Sequence, residues 1–96
     1  MTYSLEFVAS ALKEWRKLAP NIRGQFKDKL AHRLNQLRVP SARLHTMPDC
    51  YKIKLRAAGY RLVYQVDDKR IVVIVVAVGR RDKGQVYLDA SRRTKK

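Results

Sequence analysis

The chain has 96 residues, enough for one domain (1–96) built around a single modest core. Twenty-two Lys and Arg stand against eight Asp and Glu, a net charge of +14, while 46% of the residues are hydrophobic. That balance excludes a wholly disordered chain and predicts a folded protein with a polyanionic partner, nucleic acid before a membrane surface. No segment pairs a basic helical face with a bulky aromatic one, so no membrane partner is expected. The stretch from Met1 to Phe7 lacks the basic and apolar regions of a signal peptide, and the longest apolar run, Ile71 to Val78, is too short to span a bilayer as a helix. A cytoplasmic protein is expected. Cys50 is the single cysteine, which leaves no internal disulfide and no cysteine-built metal site, and no cofactor is expected.

Tyr3, Leu5 and Phe7 alternate with Ser4 and Glu6, the pattern of a short strand. Ser10 is a candidate cap for a helix in which Ala11, Trp15 and Leu18 line one face. Pro20 opens a second helix, whose apolar residues Ile22, Phe26, Leu30, Leu34 and Leu37 recur every three or four positions. The two helices are expected to form a hairpin covering a sheet. Arg38 to Ser41 ends the second helix. A loop carrying Arg43 and His45 then leads to Pro48 and Asp49.

From Tyr51 to Val66 two alternating runs flank a small-residue turn. Tyr51, Ile53 and Leu55 form one apolar row, and Tyr60, Leu62, Tyr64 and Val66 form the other. Burying both rows together requires paired residues whose numbers sum to an odd total, because a slip of one residue turns a strand over. Tyr51 then lies opposite or diagonal to Tyr64, and Lys54 to Arg61. The other, wet face is a plate of cations, Lys52, Lys54, Arg56 and Arg61, without an acid among them. Asp67 to Arg70 is a polar turn. The β-branched run from Ile71 to Val78 predicts a central strand buried on both faces, ended by Gly79. A basic loop over 80–84, a short helix over Val86 to Ala90 and a frayed basic tail over 92–96 complete the order β-α-α-β-β-β-α. The expected class is α+β, with a small, mostly antiparallel sheet.

Pairing the central strand with the 60–66 strand brings Gly79 near Arg61, so Arg81 approaches Lys52, Lys54 and Arg61, with Tyr87 close behind. Guanidinium groups fork onto phosphate oxygens and an aromatic ring stacks on a base, so this set suits a phosphodiester. Crowding by like charges disfavours the ammonium form of Lys54 and frees it to act as a base, here toward the 2′-OH of RNA. Composition and pattern alone favour the plainer reading, a cationic face that binds RNA or the ribosome without cutting anything, because a run of charge is weak evidence for catalysis. His32 reads as a boundary residue of the second helix, His45 as a loop residue nearer the cations, and Cys50 as a small packed hydrophobe.

Three stretches carry a resemblance: Ala11-Leu-Lys-Glu-Trp-Arg-Lys-Leu18, Met47-Pro-Asp-Cys-Tyr-Lys-Ile-Lys-Leu-Arg56 and Gly59-Tyr-Arg-Leu-Val-Tyr-Gln-Val66. Together they resemble the RelE family of toxins within the RelE/ParE superfamily, over essentially the whole chain. The resemblance implies a microbial-RNase-like fold and the toxin of a type II toxin–antitoxin pair. It further implies a ribosome-dependent, metal-independent endoribonuclease that cuts mRNA in the ribosomal A site by 2′-OH attack. On that resemblance Lys52, Lys54, Arg61, Arg81 and Tyr87 are the catalytic set. Lys54 is the base, Lys52 and Arg61 hold the phosphate, Arg81 is the acid at the leaving oxygen, and Tyr87 meets a codon base. Arg43, His45 and Arg56 are the candidate substrate-binding residues, with His45 standing where the family pattern has arginine. The implied partners are a RelB-type antitoxin, the 70S ribosome with mRNA and 16S rRNA, and operator DNA through the antitoxin complex. The antitoxin is expected to displace or disorder the C-terminal helix.

Overall fold

The protein is described by a computed structural model covering residues 3–94, so Lys95 and Lys96 of the expected tail lie outside the described residues. The order is β1 (Ser4–Phe7), α1 (Ala9–Arg16), α2 (Pro20–Asn35), a 3₁₀ turn at Pro40–Ala42, β2 (Cys50–Leu55), β3 (Tyr60–Asp67), β4 (Val72–Arg80), a 3₁₀ turn at Asp82–Gly84 and α3 (Gln85–Thr94). The strands lie in the order β1-β4-β3-β2, with β1 parallel to β4 and the other two pairings antiparallel. The expected α+β class and element order are therefore those observed.

The alternating rows of the hairpin set its register as parity requires. Tyr51 pairs with Tyr64 and Lys54 with Arg61. Tyr51 and Tyr64 stack with ring centroids 5.7 Å apart. Their row, with Ile53, Leu55, Leu62 and Val66, forms the main core with Ala11 and Leu18, and with Ile22, Phe26 and Leu30 of α2. Trp15 joins its edge, its ring 5.3 Å from that of Phe7.

The opposite face is not simply wet. Met47, Cys50, Val63, Val76 and Ala77 form a second, smaller core there under Val86 and Ala90 of α3. Its physical reason is a β-bulge. Val63 pairs with Ala77, but Tyr64 pairs with Val75, leaving Val76 unpartnered. Two successive residues, Val76 and Ala77, thus join the α3 side, and Val78 returns to the main core with Val73 and Val75.

Three local expectations need correction. Ser10 does not cap α1: the N-cap is Val8, without a side-chain cap, and the helix enters directly from β1 through the bond from Val8 N to Val75 O. Strand β4 starts at Val72, because Ile71 closes the preceding turn at φ 55, and it continues through Gly79 to Arg80, both paired with β3, rather than ending at the glycine. Helix α3 runs on to Thr94, since Val86, Ala90 and Arg93 share one face and Arg93 is anchored rather than frayed.

That anchor closes an open end of the sheet. Strand β1 accompanies β4 only as far as Val75. Beyond it, Glu14 of α1 takes the place of the missing strand, its Oε1 accepting the Val78 N–H at 3.1 Å. Arg93 arrives from the other layer, donating to Glu14 Oε1 and Oε2 at 3.0 Å each and to the carbonyl of the bulged Val76 at 2.9 Å.

Candidate functional site

The Lys54–Arg61 end of the hairpin gathers the predicted cations. Lys52 and Lys54 project from one side of β2, about 7 Å apart as alternate residues on a strand are, and Arg56 follows at the exposed turn. Arg61 pairs with Lys54 on one side and with Gly79 on the other, so it occupies the middle of this end of the sheet. It is buried, only 8% exposed, and the one side-chain hydrogen bond it makes among the described residues runs from Nη1 to the carbonyl of Tyr60 at 3.0 Å. Among the described residues no carboxylate pairs with it, whereas buried charges ordinarily require a counterion. The fold holds a guanidinium ready for an anion that comes from outside.

Arg81 is brought to this end by its backbone. Its N–H donates to the carbonyl of Gly59 at 2.9 Å, pinning the loop after β4 to the β2–β3 turn while the side chain stays exposed. Gly59 sits at φ 71, a conformation that glycine adopts freely at such a turn. Tyr87, half-buried on α3, packs on the small core on the Lys52–Arg61 side of the sheet. The expected grouping of Lys52, Lys54, Arg56 and Arg61 is thus observed, with Arg81 tied to the same end and Tyr87 on the same side. Arg43 makes an isolated bridge with Tyr51 along the outer edge of β2 and is exposed. His45 lies farther along, in the exposed turn near the Cys50 end of β2, away from the Lys54–Arg61 pair.

Electrostatics follow from this placement. The positive charges of Lys52 first, then Arg56, push the Lys54 ammonium below its ordinary pKa, with partial desolvation and Arg61 adding to the effect. Five of the eight acids are paired elsewhere: Glu6 with Arg70, Asp49 and Asp68 with Arg38, and Glu14 and Asp89 with Arg93. A set of this kind can bind a phosphodiester, stabilise added negative charge on it and accept a proton at Lys54.

Sequence reasoning missed two residues that share this neighbourhood. Arg33 of α2 and Ser41 of the 3₁₀ turn line a cavity with Lys52, Lys54 and Arg56. A signal for Arg33 existed, since it falls three residues after Leu30 and so points along the helix stripe that faces the sheet.

Residues 5–84 match the family described as "ParE toxin of type II toxin-antitoxin system, parDE". The chain is 53% identical over 93 residues to the mRNA interferase toxin RelE of Escherichia coli K12, covering 97% of this chain and 98% of the relative. The structure of a mutant E. coli toxin RelE in the free state superposes with a TM-score of 0.92 at 50% identity, over 99% of this chain and all of that one. The toxin in the intact E. coli RelBE toxin–antitoxin complex gives a TM-score of 0.81 at 53% identity, over 84% of this chain and 99% of that one.

Proposed function

The chain belongs to the RelE/ParE family of type II toxins, and from that membership we propose that it enters the ribosomal A site and cuts the mRNA there. Its enzyme class is that of an mRNA interferase, an endoribonuclease. The single observation that carries the reading is Lys54 paired directly with a buried Arg61 that has no acid partner among the described residues.

In the proposed reaction, neutral Lys54 Nζ takes the proton of a ribose 2′-OH. The O2′–P bond forms as the P–O5′ bond breaks, leaving a 2′,3′-cyclic phosphate and a 5′-OH. Lys52 and Arg61 hold the non-bridging oxygens as their charge grows. Arg81 faces the leaving O5′. A guanidinium hardly gives up its proton, so Arg81 acts there by hydrogen bonding while water supplies the proton. Tyr87 stacks on a codon base, and Arg43, His45 and Arg56 contact RNA around the cut.

A RelB-type antitoxin is the proposed protein partner, in keeping with the relatives solved with RelB. It covers the basic surface and displaces α3 with Tyr87, and the pair represses its own operon through operator DNA contacted mainly by the antitoxin. The test adds purified protein to ribosomes paused with an open A site. The mRNA should be cut with a 2′,3′-cyclic end, and Lys54→Ala should slow cutting by about a hundredfold or more while ribosome binding weakens only modestly. Intact mRNA with the wild-type protein refutes the proposal and favours a non-catalytic RNA- or ribosome-binding protein.

A further inference from the structure

The cavity of about 260 Å³ at the outer edge of β2 lies between the C-terminal half of α2 and the 3₁₀ turn, lined by Arg33, Ser41, Ala42, Lys52, Lys54 and Arg56. Four cations and one hydroxyl face it, and no carboxylate lines it among the described residues. Arg33 is the unexpected member, because α2 covers the opposite, main-core face of the sheet and reaches this cavity only around the β2 edge.

The side chain of Arg33 is fixed from beneath. Its Nη1 donates to Tyr64 Oη at 3.1 Å and its guanidinium lies 5.8 Å from the centre of the Tyr64 ring. Tyr64 is itself immobilised: it is fully buried, its hydroxyl donates to the carbonyl of Leu37 at 2.7 Å, and its ring stacks on Tyr51. Arg33 makes no ion pair among the described residues, unlike Arg38, Arg70 and Arg93, each of which takes a carboxylate. A planar donor held in place by the core, with free N–H groups beside three more cations, is preorganised for an anion. The cavity is small and polar, and a single phosphodiester fits its chemistry better than a base or an apolar group.

We propose that Arg33 and Ser41, with Arg56, form a second phosphate subsite that holds the mRNA phosphate on the 5′ side of the ribose whose 2′-OH attacks. The inference rests on the reaction proposed above. Lys54 lines this cavity and also meets the 2′-OH, so the phosphate beyond that ribose, away from the leaving group, is the one in reach. Arg33 and Ser41 are positioning residues, which fix the strand so that the 2′-OH stands beside Lys54.

The experiment measures single-turnover cleavage on ribosomes carrying mRNA with a neutral methylphosphonate at that 5′ phosphate, at the phosphate one nucleotide 3′ of the scissile one, or at neither. Arg33→Gln keeps a polar group for Tyr64 Oη while removing the charge. Ser41→Ala leaves the Tyr64 support untouched. On native mRNA, Arg33→Gln should lower kcat/KM about tenfold and Ser41→Ala a few-fold. The 5′ methylphosphonate should slow the wild-type protein by a similar factor and erase the difference between wild type and either variant, and the 3′ one should leave the difference intact. A penalty that persists on the 5′ methylphosphonate places Arg33 on ribosomal RNA or in structural support only, and overturns the subsite. So does a penalty erased by the 3′ substitution, or no penalty at all. If the wild-type protein cuts nothing, the proposed reaction fails. The subsite is then read by equilibrium binding of the same short single-stranded RNAs, where loss of the Arg33→Gln effect on the 5′ methylphosphonate still supports it and persistence overturns it.

Discussion

Replacing Glu14 with alanine removes one side chain that serves two layers of the fold. Three hydrogen bonds are lost: one from Val78 N and two from the Arg93 guanidinium. The carboxylate and guanidinium side chains are 29% and 23% exposed, so the pair is worth more than a surface bridge and less than a buried one. Shielded hydrogen bonds to charged groups contribute about 1.5–3 kcal/mol each, partial exposure lowers that, and Arg93 keeps its bond to Val76 O. With Val78 N–H left beyond the last residue of β1, a net cost of about 2–3 kcal/mol follows. For a domain of this size, that lowers Tm by about 10–20 °C. Thermal unfolding by circular dichroism measures the total. Native-state hydrogen exchange locates it, and α3 amides should lose protection before those of β2 and β3. Arg93→Ala should cost nearly as much, and the double variant should show about 1 kcal/mol or more of coupling. A Tm within two or three degrees of wild type (about 0.5 kcal/mol) would reduce the pair to an ordinary surface contact and refute the reasoning.

Two further outcomes are expected. If neutral Lys54 is the base, the cleavage rate rises with pH through the Lys54 pKa. Arg56→Gln removes one of the charges that depress that pKa and should move the rising limb to higher pH, and a limb that does not move counts against Lys54 as the base. Burial chiefly, with Asp49 beside it, pushes the Cys50 thiol up to about 11, so iodoacetamide should fail to label the native protein at neutral pH and label it readily in denaturant. Rapid labelling of the native protein would show that the segment before β2 opens.

What could be read beforehand was whatever obeyed a period. Alternation fixed the parity that the Tyr51–Tyr64 and Lys54–Arg61 pairings obey, because a slip of β2 by one residue would have exposed Tyr51, Ile53 and Leu55 and buried Lys52 and Lys54. The bulge at Val76 left no such trace. In a run of Val, Ile and Ala every residue suits either face, so an extra one does not disturb the pattern. The small core under α3 went unread for a related reason. Val63 and Cys50 are single apolar residues among polar ones, and only the bulge supplies the Val76–Ala77 pair that joins them. Arg92 and Arg93 looked like a tail because charge outweighed periodicity, although Arg93 continues the Val86–Ala90 face by one turn. Arg33 continues the α2 stripe three residues after Leu30, so its place toward the sheet was legible, but its reach around the sheet edge to Lys52 and Arg56 was set by tertiary packing.

The sorting of acids has a consequence for encounter as well as for binding. Asp49, Asp67, Asp68 and Glu6 lie toward the end of the sheet where β4 begins, and most are matched there by Arg38 and Arg70. Lys54, Arg56, Arg61, Arg80 and Arg81 lie at the other end, about 20 Å away along β3. The molecule is therefore polarised, near neutral at one pole and strongly positive at the other. In the field of a polyanion it experiences a torque as well as a pull, and it turns its unpaired pole forward before any contact is made. Orientation of that kind acts across solvent and fades beyond the Debye length, about 8 Å at physiological salt, whereas docked contacts lie well inside it. Rising salt thus removes the guided approach first and the bound complex later.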